Sequence, residues 1–407
     1  MNDFLPVLLG SDINVYGMAR SFHEAYGMKS VAVGKGRLSA TMDSRIVSVE
    51  KVEPDIENDD IFVRTLREFS ERYPKGLPKL LVSCGDNYTR LLAKNADRLK
   101  DLYRFRTVPA ELIDRLTTKD AFYRLADEHG LEYPKTAMVS KGRGSSQELG
   151  FGFPVVVKPA DSVAYWNCSF PHKKKVFVAE SREEYDEILA AIYGSSYQED
   201  LIIQEFIPGD DSHMRVMNCY SDADGKVRLA SLAQALLEEH SPEGIGSYAA
   251  LIPVRDDGIT EKLKGFLEAI GYVGFSNFDM KLDERDGKYK LFEINPRQGR
   301  SSFVVTAAGS NLARVLAGDV IYGEPYEFFT EDREVLWSII PDSVIKRYVS
   351  DEALKAKAAG LIAAGKVVRS LWYPPDMSLG RRVYYLKNQM GYKRKYARYF
   401  GNKALRD

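Results

Sequence analysis

Residues 274–311 read GFSNFDMKLDERDGKYKLFEINPRQGRSSFVVTAAGSN. Residues 275–281 alternate in the manner of a half-buried strand. Asp286-Gly287 is a strong tight-turn signal, and residues 289–295, YKLFEIN, read as the returning strand. Successive side chains of a strand point to opposite faces, so Glu293 and Asn295 share one face and Phe292 and Ile294 the other. Asp279 lies on the partner strand. Two carboxylates and an amide oxygen then converge, the hard-oxygen donors that hold Mg²⁺ alongside phosphates. Arg297 and Arg300 follow at once, permanently charged planar forks suited to carboxylate or phosphate. Each residue alone reads as a solvated surface charge. The set, in this order and spacing, reads as a site.

Upstream, residues 5–10 form a short apolar run followed by Gly10-Ser11-Asp12, a helical pattern over 14–26 and a second apolar run over 30–33. That order predicts an open parallel sheet, whose ligands bind beyond the carboxyl ends of its strands. No GxGxxG is present, so a dinucleotide site is not supported. Ser11 and Asp12 are candidate substrate contacts; a loop turn and a helix N-cap are the competing roles. Residues 79–84, KLLVSC, predict another buried strand, with Asp86 beyond it a helix cap first and a substrate contact second.

Lys119 opens a helix predicted to run to His129. A cation there opposes the helix dipole, unless it grips a phosphate together with the helix end. Lys158 stands inside the apolar run FPVVVKP, where a charge needs a partner or a ligand. Residues 161–175 end in His172-Lys173-Lys174-Lys175 and read as a lid over phosphates or a solvated turn. Residues 201–207, LIIQEFI, predict a strand leading into Pro208-Gly209-Asp210-Asp211. Backbone at such an edge can pair with an adenine rim, and an acid just beyond it can hold ribose hydroxyls. Arg215, in a strand over 214–217, is a candidate phosphate contact. Residues 227–237 are open between strand and helix. Residues 380–407 are basic and aromatic, suited to an anionic lipid surface or to an ordinary packed helix with a solvated face.

The chain has 407 residues, 44% hydrophobic and 28% charged, enough for two or three domains with sizeable cores. A formal net charge of -1 argues against nucleic acid as a partner. Cys84, Cys168 and Cys219 are odd in number and lack CxxC spacing, which predicts neither zinc site nor disulfide framework. The start, MNDFLPVLLGSDIN, lacks the basic region and apolar length of a signal peptide. No stretch reaches the ~20 apolar residues needed to span a bilayer. A cytoplasmic protein, peripheral at the inner membrane face at most, is expected.

Lys119, Lys158, the basic loop, QEFIPGDD, FDMK and FEINPRQGR, in that order, resemble the ATP-grasp superfamily from about residue 5 to 311. Within it LGSDINVYGMARSFHEAYG, QEFIPGDDSHMRV, FSNFDMK and FEINPRQGRSSF resemble the D-aspartate ligases of bacterial cell-wall synthesis. The resemblance implies an α/β fold: an N-terminal open parallel-sheet domain (1–115), then a two-part ATP-grasp domain (116–200 and 201–325). Residues 326–407 are left as a helical, basic and aromatic extension.

It also implies ATP with Mg²⁺ (or Mn²⁺), activation of the β-carboxylate of D-aspartate as an acyl phosphate, and transfer to the lysine ε-amine of a peptidoglycan-precursor acceptor. By resemblance Asp279, Glu293 and Asn295 hold the metal. Lys119 and Lys158 hold phosphates; Gln204, Glu205, Phe206 and Ile207 meet the adenine; Asp211 or Asp210 meets the ribose. Arg215, Arg297 and Arg300 are the catalytic candidates. Arg297, Gly299 and Arg300 face the acid and the acyl phosphate, with Ser11, Asp12 and Ser301 the further substrate candidates. D-Alanine–D-alanine ligases carry an arginine where this chain has Asn277, and D-aspartate ligases usually carry leucine where it has Pro296. A ligase for another amino acid or small peptide, or a non-catalytic nucleotide-binding protein on this fold, are the alternatives.

Overall fold

A computed structural model describes residues 3–143, 148–242 and 244–401. Three sheets organise them. The first holds β1 (Leu5–Leu9), β2 (Ser30–Gly34), β3 (Val47–Val52) and β4 (Lys79–Ser83), all parallel in the order β3-β2-β1-β4. β1 and β2 are buried on both faces, as parallel strands under helices must be. Asp12 closes the turn after β1 by accepting hydrogen bonds from Asn14 N and Val15 N at 3.0 and 3.2 Å, which caps the helix Ile13–Tyr26. Gly27, at φ 65°, ends that helix in the left-handed region that a side chain would disfavour.

The second sheet is small and antiparallel: β5 (Thr136–Val139), β6 (Val155–Pro159), β7 (Phe177–Ala179) and β8 (Leu201–Glu205), in the order β5-β8-β6-β7. The expected division at 200/201 would cut β8 from both its partners, so the sheet ends after Glu205 rather than before Leu201. The segment 161–175 carries the short helix Ser162–Trp166 rather than loop throughout. Lys173 ties it to itself, donating to Trp166 O at 3.0 Å and Cys168 O at 2.6 Å.

The third sheet comprises β9 (Met214–Ser221), β10 (Val227–Glu238), β11 (Tyr248–Val254), β12 (Gly274–Asp283), β13 (Lys288–Asn295), β14 (Phe329–Thr330), β15 (Leu336–Ser338) and β16 (Val367–Arg369). Its order is β13-β12-β9-β10-β11-β15-β16, with β14 beside β10. The open segment 227–237 is therefore strand. It lies between β9 and β11, and its backbone groups are paired on both sides. Residues 326–401 are not an appended helical extension either. They supply β14, β15 and β16 to this sheet and then a 21-residue helix, Leu379–Tyr399, that returns to the first sheet. Lys403 and Arg406 of the basic tail lie outside the described residues.

Apolar burial follows the same division. One core joins the first and third sheets, with Phe4, Leu8 and Phe22 packed among Leu251, Phe303 and Trp337. The small sheet has its own core of Val139, Val155, Tyr165, Tyr185 and Ile203. Among the described residues no helix is long and apolar enough to cross a membrane.

Candidate active site

Two cavities meet at the hairpin of β12 and β13. The first, about 480 Å³, lies between the small and third sheets and is lined by Lys158, Gln204, Phe206, Ile207, Asp211 and Lys281 among others. The second, about 390 Å³, opens toward the first sheet and is lined by Asp12, Asp86, Asn295, Arg297, Arg300 and Ser301 among others. Lys175, Gly246, Asp279 and Glu293 line both. The carboxylate pair thus stands in the wall that the two cavities share.

The pairing is set by register. Asp279 lies opposite Glu293 and Asn277 opposite Asn295. Residues directly opposite share a face, so all four project together. The expected strict alternation fails at one point. Met280 pairs with Leu291, which leaves Phe292 as an unopposed bulge residue, and Phe292 lines the first cavity beside Glu293.

The electrostatics separate the two acids. Glu293 accepts from Lys119 Nζ at 2.9 Å, and Lys119 also donates to Phe292 O at 2.8 Å. The Lys119 charge holds the Glu293 carboxyl at about 2. Burial, and then the Glu293 charge, push Asp279 up to about 7. Asn295 Nδ2 donates to Asp279 Oδ2 at 3.0 Å, whereas Asp279 Oδ1 is buried without a hydrogen-bond partner. A buried carboxylate oxygen left unpaired is costly. An orphaned oxygen beside a second carboxylate and an amide is the donor set that a divalent cation fits. Burial and the neighbouring Lys119 lower Lys158 to about 7; its ammonium has no hydrogen-bond or ion-pair partner among the described residues.

The other candidates divide. Phe206 and Ile207 line the first cavity, and the Ile207 N–H makes no hydrogen bond among the described residues. Gln204 turns its amide to Tyr123 OH and Thr136 Oγ1, at 2.5 and 2.9 Å, and the Glu205 carboxylate pairs with Arg285 at 2.8 Å. Asp211 accepts from Glu238 N and meets His240 Nε2, each at 2.8 Å. Arg297 grips Asp86 with two nitrogens, and Arg300 Nη1 donates to Glu239 at 2.8 Å while its Nη2 is buried without a partner. Gly299 and Ser301 line the second cavity, Ser301 Oγ accepting from Asn277 Nδ2 at 3.2 Å.

Two candidates are not brought to the site. Arg215 pairs in register with Met280, one residue past Asp279, and so projects from the opposite face of the sheet. There its guanidinium is buried, donating to Ser212 O at 2.6 Å and Met214 O at 3.0 Å. Ser11 is buried beneath the loop, its carbonyl accepting from Thr41 Oγ1 at 2.8 Å, and lines neither cavity.

Several lining residues escape sequence reasoning. Lys175, expected only as part of a lid, touches both cavities. Lys281 follows Asp279 by two on the same face, a signal that alternation carries, and donates to Gly209 O at 2.6 Å. Glu238 is pushed up to about 8 by burial and then by Asp211 and Asp279, but its position depends on β10 being a strand. Phe400, from the far end of the chain, has no local signal at all.

No protein-family model matches the chain. The L-amino acid ligase of Bacillus licheniformis superposes with a TM-score of 0.55 at 16% identity, over 78% of this chain and 74% of that one. N5-carboxyaminoimidazole ribonucleotide synthetase of Thermus thermophilus gives 0.59 at 16% identity, over 82% of each. The fold is that of the ATP-grasp proteins. In sequence, the chain is 43% identical to D-aspartate ligase of Enterococcus faecium (strain Aus0004) over 390 residues, 93% of this chain and 92% of that protein. The chain belongs to the D-aspartate ligase family, and with it to the carbon–nitrogen ligases. A distant relative, the N-terminal section of the carbamoyl phosphate synthase large chain of Methanopyrus kandleri, is 24% identical over 220 residues, 51% of this chain and 36% of that protein.

Proposed function

We propose that the chain activates the β-carboxylate of D-aspartate with ATP and joins it to the lysine ε-amine of a peptidoglycan stem-peptide precursor. The observation that carries this reading is the Asp279–Glu293 pair in a wall common to two cavities, one lined by lysines and an open backbone edge, the other by two arginines.

In this reading the nucleotide lies between the small and third sheets, and residues 1–115 present the acid. Lys119 and Lys158 hold the α- and β-phosphates, the Ile207 N–H meets the adenine rim, and Asp211 or Asp210 meets the ribose. Asp279, Glu293 and Asn295 would hold Mg²⁺ or Mn²⁺, which when bound neutralises charge on the phosphate oxygens. A carboxylate oxygen of the acid attacks the γ-phosphorus, ADP leaves, and an acyl phosphate results. The amine then attacks the acyl carbon, sheds a proton and expels phosphate. Positioning and charge neutralisation supply most of such catalysis. Arg297 and Arg300 fit a diacid, because the carboxylate that is not activated needs its own cation. An amino acid with a single carboxylate has no use for both.

The test is release of ADP and phosphate by purified protein with ATP and Mg²⁺ across D- and L-amino acids, with and without a lysine-containing muropeptide. Turnover is expected with D-aspartate and the muropeptide together. Turnover with a different amino acid, and none with D-aspartate, would overturn the choice of acid. ATP binding without turnover on any acid would overturn the enzyme.

A further inference from the structure

The helix Leu379–Tyr399 buries one face and leaves an unusual surface on the other. Tyr392 and Tyr396 lie inward, their hydroxyls donating to Glu239 Oε1 at 3.3 Å and Glu238 O at 2.5 Å. On the outer face Leu379, Val383, Leu386 and Met390 are 80%, 44%, 59% and 51% exposed. Their spacing of four, three and four residues aligns them in one stripe along the helix. The loop bearing Leu38 and Met42, each 52% exposed, packs against the start of this helix, where Arg381 Nη1 donates to Ala40 O and Met42 O at 3.0 Å. Six of the ten large exposed apolar side chains among the described residues therefore gather here, too many for scattered surface apolar groups.

The charge carried by the helix itself is of one sign, with the Asp43 carboxylate of the neighbouring loop beside its first turn. The helix carries seven Lys and Arg residues and no acid, in a chain whose net charge is -1. At 3.6 residues per turn, Lys387 and Arg394 flank the stripe on one side and Arg382 and Lys393 on the other. All four are exposed, and none makes an ion pair among the described residues. A second copy of the helix is a poor occupant, since a two-fold interface would set these bases against their own copies. An apolar stripe flanked by bases suits the boundary between anionic headgroups and acyl chains.

We propose that this face docks on an anionic phospholipid surface, with Leu379, Val383, Leu386 and Met390 entering the boundary and Arg382, Lys387, Lys393 and Arg394 meeting the headgroups. The buried face of the same helix, not the stripe, meets the first cavity's wall, where Tyr396 donates to Glu238. The proposal does not depend on the ligase reading, and its test needs neither ATP nor acid.

The full chain is sedimented with vesicles of phosphatidylglycerol and phosphatidylcholine in equal parts, and with vesicles of phosphatidylcholine alone. Recovery is expected with the first and not the second, falling as salt rises. The double substitution Leu386→Asp, Met390→Asp and, separately, Lys387→Ser, Arg394→Ser should each weaken partitioning by about tenfold or more. The melting temperature in vesicle-free buffer should stay unchanged. Equal recovery on both vesicle types would overturn the proposal, as would unaltered binding by either double variant. A dimer in sedimentation velocity that Leu386→Asp, Met390→Asp dissolves would instead make the stripe a self-association face and overturn the lipid assignment. The basic-residue variant keeps the test decisive should the apolar one fail to fold.

Discussion

Arg297 and Asp86 form a two-point ion pair, Nε to Oδ1 at 2.6 Å and Nη2 to Oδ2 at 2.9 Å, joining the loop after β13 to the first turn of the helix Asp86–Lys94 that follows β4. The first sheet thereby fixes an arginine that the hairpin carries at the mouth of the second cavity. Lysine keeps the charge but not the fork. Arg297→Lys should raise KM for the acid by about tenfold, with KM for ATP within about twofold of the parent. Initial rates over both substrates decide it, and an unchanged KM for the acid would remove Arg297 from that cavity's recognition.

Glu293 sits between Lys119 and Asp279, so Glu293→Gln should lower kcat by about a hundredfold or more by disturbing both neighbours. The melting curve should move little, because the Glu293 side chain is 46% exposed and its ion pair is partly screened. Near-normal ADP release would take Glu293 out of the metal set.

Lys158 supplies a pH dependence. Burial, then Lys119, lower its ammonium to about 7, so it is largely neutral above that pH in the free protein. A bound triphosphate restores the charged form, so binding takes up on the order of one proton near pH 8, and ATP affinity falls as pH rises above about 7. Calorimetry in two buffers of different ionisation enthalpy measures the uptake. Lys158→Met should abolish it, and a buffer-independent enthalpy in the parent protein would sink the idea.

Arg381 is a stability prediction. Its Nε lies 2.9 Å from Asp376 Oδ2, both side chains are almost fully buried, and its guanidinium stacks 4.2 Å from the centre of the Tyr16 ring. Asp376 also accepts from Tyr16 OH at 2.9 Å. Arg381→Ala leaves a buried carboxylate without its cation and should cost about 3 kcal/mol, read as a lower urea midpoint at unchanged slope.

The contrast between these residues explains what was legible beforehand. Asp279, Glu293 and Asn295 stand on adjacent strands joined by a tight turn, so local alternation and one turn signal suffice to bring them together. Lys119 and Lys158 are marked by a charge where the local pattern disfavours one. Arg215 fails because the face of a central strand is chosen by its neighbours, and β9 is held in register by β12 and β10 together. Phe292 fails because a bulge shifts alternation by one residue without leaving a composition signal. β14, β15 and β16 are two or three residues long, too short for any periodicity, and exist because the third sheet receives them, β14 beside β10 and β15 and β16 beyond β11.

The Arg381–Asp376–Tyr16 cluster also bears on how the molecule is made. Tyr16 leaves the ribosome long before Arg381, yet each is buried against the other. The first sheet therefore waits, with one flank of its core uncovered, until the helix that carries Arg381 has emerged. Nascent chains halted near residue 350 should be markedly more open to protease at Tyr16 than the finished protein, whereas the small sheet, with a core of its own, can close as soon as β8 is out.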